Sequence, residues 1–316
     1  MYTFSALAAD VPNGWVRAWP DTDFHKRSIE FSEVLSGGPP KDGIPSIDHP
    51  KFIGLSEATH LTANEPVIVV SRGGETKIYP LQVLIWHEIV NDVVGGKPTL
   101  VTYCPLCNAA IVFDARIKGQ SLTFGTTGKL RKSDLIMYDR ETQSWWQQFM
   151  GEGVVGHMTG QLLTMLPARL ESFAIAAKTH PHAKVLVPNN PNMRKYGQNP
   201  YLGYDTSRRP FLFDGELPTD ILPMMRVVVV DGRAWSLPYL RKKGRIEWHD
   251  LTLQWSSGQS SALDLRTISH GRDVGNIVVQ RQTSSGPVDV VHHITFAFVF
   301  YAFHPNGELV SENLKL

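Results

Sequence analysis

The stretch VIVVSRGGETKIYPLQVLIWHEIVNDVVGG, residues 67–96, decides how the fold begins. Two apolar runs around Gly73-Gly74 predict a β-hairpin, because glycine readily supplies the positive φ of a tight turn. Pro80 suits the first turn of a helix, so we expect a helix over residues 81–94 that ends at Gly95-Gly96. At 100° per residue this helix would be apolar nearly all round.

The segments that follow the predicted helix have the character of strands. They are TLVTYC (99–104), NAAIVFDARI (108–117), SLTFGTTG (121–128), DLIMYDRET (134–142) and SWWQQF (144–149). A helix followed by a meander of strands predicts an α+β fold that is mostly antiparallel β.

The chain also repeats itself weakly. VIVVSRGGETKIYPLQVL (67–84) resembles VVVVDGRAWSLPYL (227–240), and FAIAAKTHPHAKVL (173–186) resembles AFVFYAFHPNGELV (297–310). We expect two unequal related halves, each with a hairpin, a short helix and a meander. The later half should lack a counterpart of the segment that holds the cysteines. The predicted boundaries are a Pro/Gly-rich wrap at 10–60, a first half at 61–190, a connector at 191–223 and a degenerate second half at 224–316.

Composition excludes several classes of function. Lysine plus arginine number 31 and aspartate plus glutamate 30, so the chain has no basic excess for nucleic acid or for membrane surfaces. It contains no apolar run of about 18 residues, so we expect no integral membrane segment. A partner would be a small molecule or another protein.

The N-terminus predicts export. Ala6-Leu7-Ala8 is an A-x-A-like cleavage sequence followed by a polar, proline-containing start. We interpret residues 1–9 as the remnant of a signal peptide, with an ordinary alanine-rich N-terminus as the alternative. The protein would then be periplasmic or secreted, where cysteine pairs can oxidise.

Cys104 and Cys107 are the only cysteines in 316 residues, and they form a C-x-x-C pair. Such a pair can close a disulfide, bind a soft metal or carry out thiol–disulfide exchange. A tetrahedral zinc site needs further ligands, and the chain has no second cysteine pair. A purely structural disulfide would stabilise the fold only modestly, because the loop that it closes is short.

Further ligands are expected from the predicted helix. Glu88 and Asp92 fall within its apolar arc and His87 and Asn91 at its edge, and polar groups buried there need partners. One interpretation of His87 is a core histidine bonded to a backbone carbonyl. The other is a His87–Cys104–Cys107 metal centre, with Glu88 or Met137 as a fourth ligand, which favours copper over zinc.

The segment DRET (139–142) predicts a turn in which Asp139 and Thr142 form side-chain hydrogen bonds. Arg140 is either solvated there or directed into a cleft, where it would bind an anionic group.

Taken together, these motifs resemble one family, catalogued as domain of unknown function 3179. The resemblance covers roughly residues 43–310 and is carried by WHEIVND (86–92), TYCPLC (102–107), LTFGTTG (122–128) and LIMYDRETQSWWQQ (135–148). Thr127 and Trp145 depart mildly from its pattern, where serine and leucine are expected. The resemblance implies that the motif positions are His87, Glu88, Asn91, Asp92, Cys104, Cys107, Gly125, Gly128, Asp139 and Arg140. It also implies export, and it supplies no substrate.

These observations leave three hypotheses for the function. The first is a metal-binding protein, a carrier or a metalloenzyme, with copper or zinc as cofactor. The second is a thiol–disulfide oxidoreductase, although the strand-like sequence after the second cysteine counts against it. The third is a non-catalytic module with a structural disulfide. The candidate catalytic residues are Cys104, Cys107, His87, Glu88, Asp92 and Arg140, and the candidate cofactor-binding residues are Asn91, Gly125, Gly128 and Asp139.

Overall fold

The computed structural model describes residues 11–312, so the predicted signal-peptide remnant lies outside the described residues. The helices within them are short: α1 (Asn13–Ala18), α2 (Leu81–His87), α3 (Phe173–Thr179), α4 (Leu237–Lys243) and α5 (Ala297–Phe303). The strands in chain order are β1 (Val34–Ser36), β2 (Lys51–Gly54), β3 (Pro66–Arg72), β4 (Glu75–Pro80), β5 (Ile89–Val94), β6 (Lys97–Cys104), β7 (Ala109–Asp114), β8 (Arg116–Ile117), β9 (Gln120–Ser121), β10 (Phe124–Arg131), β11 (Asp134–Asp139), β12 (Trp145–Gln147), β13 (Glu152–Val155), β14 (Met165–Leu166), β15 (Arg169–Ser172), β16 (Lys184–Val187), β17 (Arg226–Val230), β18 (Arg233–Ser236), β19 (Arg245–Trp248), β20 (Leu251–Ser256), β21 (Asn276–Thr283), β22 (Gly286–Asp289), β23 (His293–Phe296) and β24 (Leu309–Val310).

Five sheets of four or five strands form a β-propeller-like arrangement with five blades. The first-copy sheet has the order β15-β3-β4-β16-β2, the cysteine sheet β14-β7-β6-β5 and the wrap sheet β1-β10-β11-β12-β13. The second-copy sheet has the order β23-β17-β18-β24, and the fifth sheet β19-β20-β21-β22. The prediction of a mostly antiparallel α+β fold is confirmed.

The two sequence copies adopt the same local topology. In each, a hairpin leads into a seven-residue helix, namely β3–β4–α2 in the first copy and β17–β18–α4 in the second. A later strand–helix–strand unit completes each sheet, β15–α3–β16 or β23–α5–β24. In both, the last strand pairs in parallel with the second strand of the hairpin. The sequence repeat therefore corresponds to a structural repeat.

This repeat does not divide the molecule into two halves, as the sequence had suggested. The cysteine sheet follows α2 in the way that the fifth sheet follows α4, so the segment with the cysteines does have a counterpart. Within the described residues, the wrap sheet is the one that the second copy lacks. The result is five blades rather than two halves.

The predicted hairpin at 67–79 is confirmed, with Gly73 at φ 58° and Gly74 at φ 81°. The predicted helix over 81–94 is wrong in its second part, because α2 ends at His87 and residues 89–94 form β5. Glu88 takes a positive φ that stops the helix, and the β-branched residues after it favour a strand. Gly95-Gly96 is consequently the turn of the β5–β6 hairpin, not a helix cap.

Residues 11–60 contain few regular elements; they contribute β1 to the wrap sheet and β2 to the first-copy sheet. Trp19 and Phe24 pack edge-on against Trp145 of β12, with ring centroids 5.5 and 5.4 Å apart. Between residues 11 and 312, no helix is long and apolar enough to cross a bilayer.

Candidate metal centre

The two cysteines lie at the tip of the β6–β7 hairpin. Cys104 is the last residue of β6 and pairs with Ala109, the first residue of β7. Between them the chain turns, with the amide of Asn108 donating to the carbonyl oxygen of Pro105 at 3.1 Å and Asn108 at φ 52°. Asparagine tolerates this left-handed conformation better than most residues. Both thiols are free and buried, Cys104 at 2% and Cys107 at 0% exposure.

A second hairpin brings a carboxylate to these thiols. The turn between β10 and β11 contains Lys132 and Ser133 at φ 55° and 65°, and Asp134 follows as the first residue of β11. One ligand atom each from Cys104, Cys107 and Asp134 lies within 4.8 Å of the others. Two thiols and a carboxylate are thus assembled in the interior of the protein.

Neighbouring residues orient the Asp134 carboxylate. Its Oδ2 atom accepts hydrogen bonds from Gln147 Nε2 at 2.6 Å and from the backbone amide of Phe149 at 2.9 Å. Its Oδ1 atom is buried and has no hydrogen-bond partner. An unpartnered buried oxygen is costly. Oδ1 is therefore the oxygen that a bound ion would satisfy.

The cysteine turn is held in place from outside its own sheet. Thr295 Oγ1, in β23, donates a 2.8 Å hydrogen bond to the carbonyl oxygen of Cys107. The Tyr204 hydroxyl donates a 3.0 Å bond to the carbonyl oxygen of Leu106. These two contacts fix the loop that carries both sulfurs and preorganise the site.

The electrostatics of the cluster disfavour negative charge. Burial raises the pKa of Asp134 to about 6, in spite of its hydrogen bonds with Gln147 and Phe149, which lower it. Burial also raises the pKa of both Cys104 and Cys107. Acidic groups that are buried close together do not readily ionise at the same time, because burial and the neighbouring negative charge both disfavour the charged form. A bound cation would relieve this cost, because its charge favours the ionised form of each ligand.

Glu88 lies beside the cluster in a strained backbone conformation, with φ 58° and ψ −34°. The residue in the same place after α4 is Gly244, with φ 70° and ψ −44°. A positive φ is costly for a residue with a side chain and free for glycine. Burial, followed by the charge of Asp134, raises the pKa of Glu88 to about 8. A glutamate where the second copy has glycine indicates that its side chain has a role.

His87 is not part of this cluster. Its Nδ1 atom hydrogen-bonds to the carbonyl oxygen of Pro45 at 2.7 Å, and its Nε2 atom pairs with the Tyr196 hydroxyl at 2.8 Å. Both ring nitrogens are therefore occupied away from the sulfurs. The structure does not assemble the His87–Cys104–Cys107 ligand set. It shows the other interpretation, a core histidine bonded to a backbone carbonyl.

Met137 is buried in β11, three positions after Asp134. Alternation along the strand places the two side chains on opposite faces. Met137 therefore faces away from Asp134, in the buried core cluster that also contains Cys104 and Cys107.

Asp92 belongs to a different buried network. Its carboxylate accepts bonds from Lys77 Nζ at 3.0 Å and from the Tyr79 hydroxyl at 2.6 Å. It reaches this position because residues 89–94 form β5, where alternation replaces the expected helical spacing to Glu88. Asp92 therefore contributes to packing between β4 and β5.

Arg140 and Asn91 connect residues 46–48 to the sheets. Arg140 forms a 3.2 Å ion pair with Asp48 and donates to Ser46 Oγ at 2.8 Å. Asn91 Nδ2 donates to Asp48 Oδ1 at 2.7 Å, and its Oδ1 accepts from the amide of Phe124 at 2.8 Å. Neither residue contacts the cysteine cluster through these bonds.

The remaining motif residues shape turns and close approaches. Asp139 accepts hydrogen bonds from the amide and the hydroxyl of Thr142, which confirms the predicted turn. A Cβ at Gly125 would collide with Tyr138, and one at Gly128 would collide with the carbonyl oxygen of Pro39. These glycines permit tight packing.

Sequence reasoning missed Asp134. The signal in the sequence is an aspartate that opens a strand, DLIMYD, in which every residue is buried. A buried carboxylate requires partners, so this position was a candidate from the pattern alone. Its proximity to the cysteines depends on how the wrap sheet meets the cysteine sheet.

The chain matches the family described as "Protein of unknown function (DUF3179)" over residues 41–307. No curated protein and no solved structure matches it. The match spans most of the chain, including the cysteine hairpin, Glu88 and Asp134, and it confirms the resemblance inferred from the motifs. The protein is a member of the DUF3179 family.

Proposed function

We propose that this protein holds a resident transition-metal ion of the zinc class, bound by Cys104, Cys107 and Asp134. The observation that carries the proposal is the buried, unpartnered Oδ1 atom of Asp134, on a carboxylate that lies within 4.8 Å of both sulfurs. Gln147 and the Phe149 amide hold the other oxygen, as neighbours of metal ligands commonly do.

The ligand chemistry favours zinc over copper. The expectation of copper rested on His87 and Met137, and both ring nitrogens of His87 bond to groups away from the thiols. Zinc is well suited to a mixed set of thiolates and a carboxylate, whereas copper(I) prefers soft sulfur and imidazole donors. Copper is therefore the alternative metal that elemental analysis would distinguish from zinc.

Burial favours a resident metal over a carrier. With Cys107 and Asp134 at 0% exposure, an ion could not leave without an opening of the site. Three protein donors leave one position of a tetrahedral ion free, as in catalytic zinc sites. Glu88 is a neighbouring carboxylate of the kind that serves as a general base. These features favour a resident ion. A metalloenzyme would also need the site to open, because the enclosure that excludes a disulfide partner excludes a substrate as well.

The same burial disfavours thiol–disulfide exchange. Reactive cysteines are partly exposed and often begin a helix, whereas Cys104 and Cys107 are enclosed at the tip of a β-hairpin. A disulfide partner could not reach either sulfur in this conformation. A structural disulfide between the two cysteines would appear as an absence of free thiols in a thiol count.

The test is elemental analysis and a free-thiol count on protein purified without an affinity tag. We expect near-stoichiometric zinc in the wild type and its loss in Cys104→Ser and Asp134→Asn. Asp139→Asn is the matched control, because Asp139 is an equally buried aspartate of the same strand with a full set of hydrogen bonds. It should retain the metal. A cobalt-substituted sample should show thiolate-to-metal charge-transfer bands that Cys104→Ser removes.

A wild type without metal and without free thiols would overturn the proposal in favour of a disulfide. Metal that persists in Asp134→Asn at wild-type affinity would overturn the assigned ligand set.

We also propose export, on the A-x-A-like sequence at residues 6–8 and the family resemblance. Fractionation of cells that produce the protein tests this. Recovery in the cytoplasmic fraction alone would contradict it.

A further inference from the structure

A cavity of about 650 Å³ lies beside α4 and the start of β17, apart from the three metal-ligand candidates. Its walls come from residues 205–208, 222–226, 237–241 and 272–274, together with Trp255. Much of this lining is apolar, including Leu222, Met224 and Leu237. Its size falls within the range of pockets that hold small organic ligands.

The polar groups of the cavity are predominantly cationic. Four arginines line it, Arg208, Arg226, Arg241 and Arg272, against two aspartates, Asp205 and Asp273. Asp205 is fully buried and already paired, with Arg226 Nη2 and Arg272 Nη1 each 2.9 Å from its carboxylate. Asp273 accepts bonds from the backbone amides of residues 258, 259 and 275. Arg272 also lies 3.5 Å from Asp264, so Arg226 and Arg272 are engaged by aspartates, and Arg208 and Arg241 are the lining cations without an ion-pair partner among the described residues.

One of these arginines has an unused donor in the interior. The Arg226 side chain is 8% exposed, and its Nη2 atom also donates to Ser261 Oγ at 2.8 Å. Its Nε atom is buried without a hydrogen-bond partner. An unpartnered charged donor in a low-dielectric environment is expensive. Because this atom is closed off from the cavity, Arg226 adds positive charge to the lining without offering a ligand this donor.

Arg241 gives the rim a second cationic surface. Its guanidinium lies 5.3 Å from the centroid of the Trp255 ring, so it is stacked against an aromatic wall. Within residues 11–312, no ion pair engages Arg241. A planar guanidinium held by an aromatic ring is well placed to bind a carboxylate.

The first copy has a cavity in the corresponding place, and its chemistry differs. That cavity, of about 1020 Å³, is lined by Gln82 and Val83 of α2 and by Glu65, which precedes β3. Glu65 is 5% exposed and its Oε2 atom has no hydrogen-bond partner. The lining also contains Arg194 and Lys195, so this cavity differs from the one beside α4 by its single unpaired carboxylate and not by the sign of its overall charge. The two cavities of the repeat therefore provide a comparison within one molecule.

We propose that the cavity beside α4 binds an organic carboxylate with an apolar body. The carboxylate is held by the arginines of the lining, with Arg241 as the exposed donor, and the body lies against Leu222, Met224 and Leu237. A free phosphate would use the arginines and leave the apolar wall uncovered, so it should bind less well.

The test is isothermal titration calorimetry of the full chain with octanoate and 4-phenylbutyrate. The comparison probes are octanamide and 4-phenylbutanamide, which keep the apolar body without the charge, and inorganic phosphate, which keeps the charge without the body. We expect saturable binding of at least one carboxylate and binding weaker by about tenfold or more for its amide and for phosphate.

Two variants keep the folded core intact, because they change exposed side chains at the rim. Arg241→Ala should weaken carboxylate binding by about tenfold. Leu222→Asp should weaken it further by placing a negative charge at the apolar wall. Arg194→Ala, which alters the cavity of the first copy, is the matched control and should leave binding unchanged.

Equal affinity for a carboxylate and its amide would overturn the proposal. So would a loss of binding in Arg194→Ala but not in Arg241→Ala, or the absence of saturable binding for both carboxylates at millimolar concentration. Circular dichroism of each variant establishes that it is folded.

Discussion

Gln147 Nε2 donates a 2.6 Å hydrogen bond to Asp134 Oδ2, so the side chain of one buried residue determines which oxygen of the other stays free. Gln147 lies in β12 and Asp134 in β11, which are neighbouring antiparallel strands of the wrap sheet. Because the bond restricts rotation of the carboxylate, Oδ1 is the oxygen left without a partner, on a carboxylate that lies within 4.8 Å of both sulfurs. The bond fixes the carboxylate at the cost of one unsatisfied oxygen.

The first prediction concerns this hydrogen bond. Gln147→Leu should lower zinc affinity by about tenfold or more, because the Asp134 carboxylate loses the group that orients it. Competition with a chelator of known affinity measures the change. Gln280→Leu is the matched control, since it removes a similar amide-to-carboxylate bond, Gln280 Nε2 to Asp289 at 2.9 Å, outside the site. Equal affinities for the two variants would contradict the orienting role.

The second prediction concerns His87. His87→Ala should retain the metal, because both ring nitrogens bond to groups outside the cluster, Pro45 and Tyr196. It should nevertheless lower the free energy of unfolding by about 2 kcal/mol, through the loss of two buried hydrogen bonds. Elemental analysis and urea unfolding measure the two effects separately. Loss of metal from a folded His87→Ala protein would restore the histidine to the ligand set.

The third prediction concerns Glu88. Glu88→Gly should raise the free energy of unfolding by about 1 kcal/mol, because glycine adopts the positive φ of this position without strain. Gly244 is the natural precedent in the second copy. The variant should keep its metal, since Glu88 lies outside the three-residue cluster. Thermal unfolding at pH 7 and elemental analysis test this. A less stable variant would show that the carboxylate has favourable contacts that exceed the backbone strain.

The fourth prediction concerns how the ionisation of Glu171 makes the stability of the protein depend on pH. Its side chain is fully buried, and both carboxylate oxygens lack hydrogen-bond partners. Burial raises its pKa from 4.5 to about 7, partly opposed by Arg169. Because the folded state binds this proton more tightly than the unfolded state, its contribution to stability is present below pH 4.5 and is lost as pH rises through 7.

Glu171→Gln should therefore gain stability over the wild type as pH rises from 5 to 8. Melting temperatures of both proteins across this range measure the effect. Glu216→Gln is the control at an exposed position and should follow the wild type. Parallel curves for Glu171→Gln and the wild type would show that Glu171 ionises normally.

Several local features could be predicted from the sequence because short-range chemistry determines them. The Gly73-Gly74 hairpin, the Asp139–Thr142 turn and the mostly antiparallel fold all follow from turn residues and strand patterns. The repeat was visible because each copy needs the same apolar strand, glycine turn and helix. The family followed from motifs that are contiguous in sequence.

The end of α2 could not be predicted in this way. Residues 81–94 have an apolar pattern that suits a buried helix or a buried strand, and a fully buried strand loses its alternation. Pairing of β5 with β6 decides between them, together with the positive φ at Glu88. That error placed Asp92 and Asn91 on the wrong element and brought His87 towards the cysteines.

The sequence by itself determined the pair of thiols, since Cys104 and Cys107 are three positions apart on one turn and must lie together. It also determined the two copies of the hairpin–helix unit. Tertiary structure alone decided which side chain joins the thiols: it brings Asp134 beside them and engages both ring nitrogens of His87 elsewhere. The physical reason is that Asp134 belongs to a different sheet, and its distance from the thiols depends on how two blades pack, a quantity that no local pattern encodes.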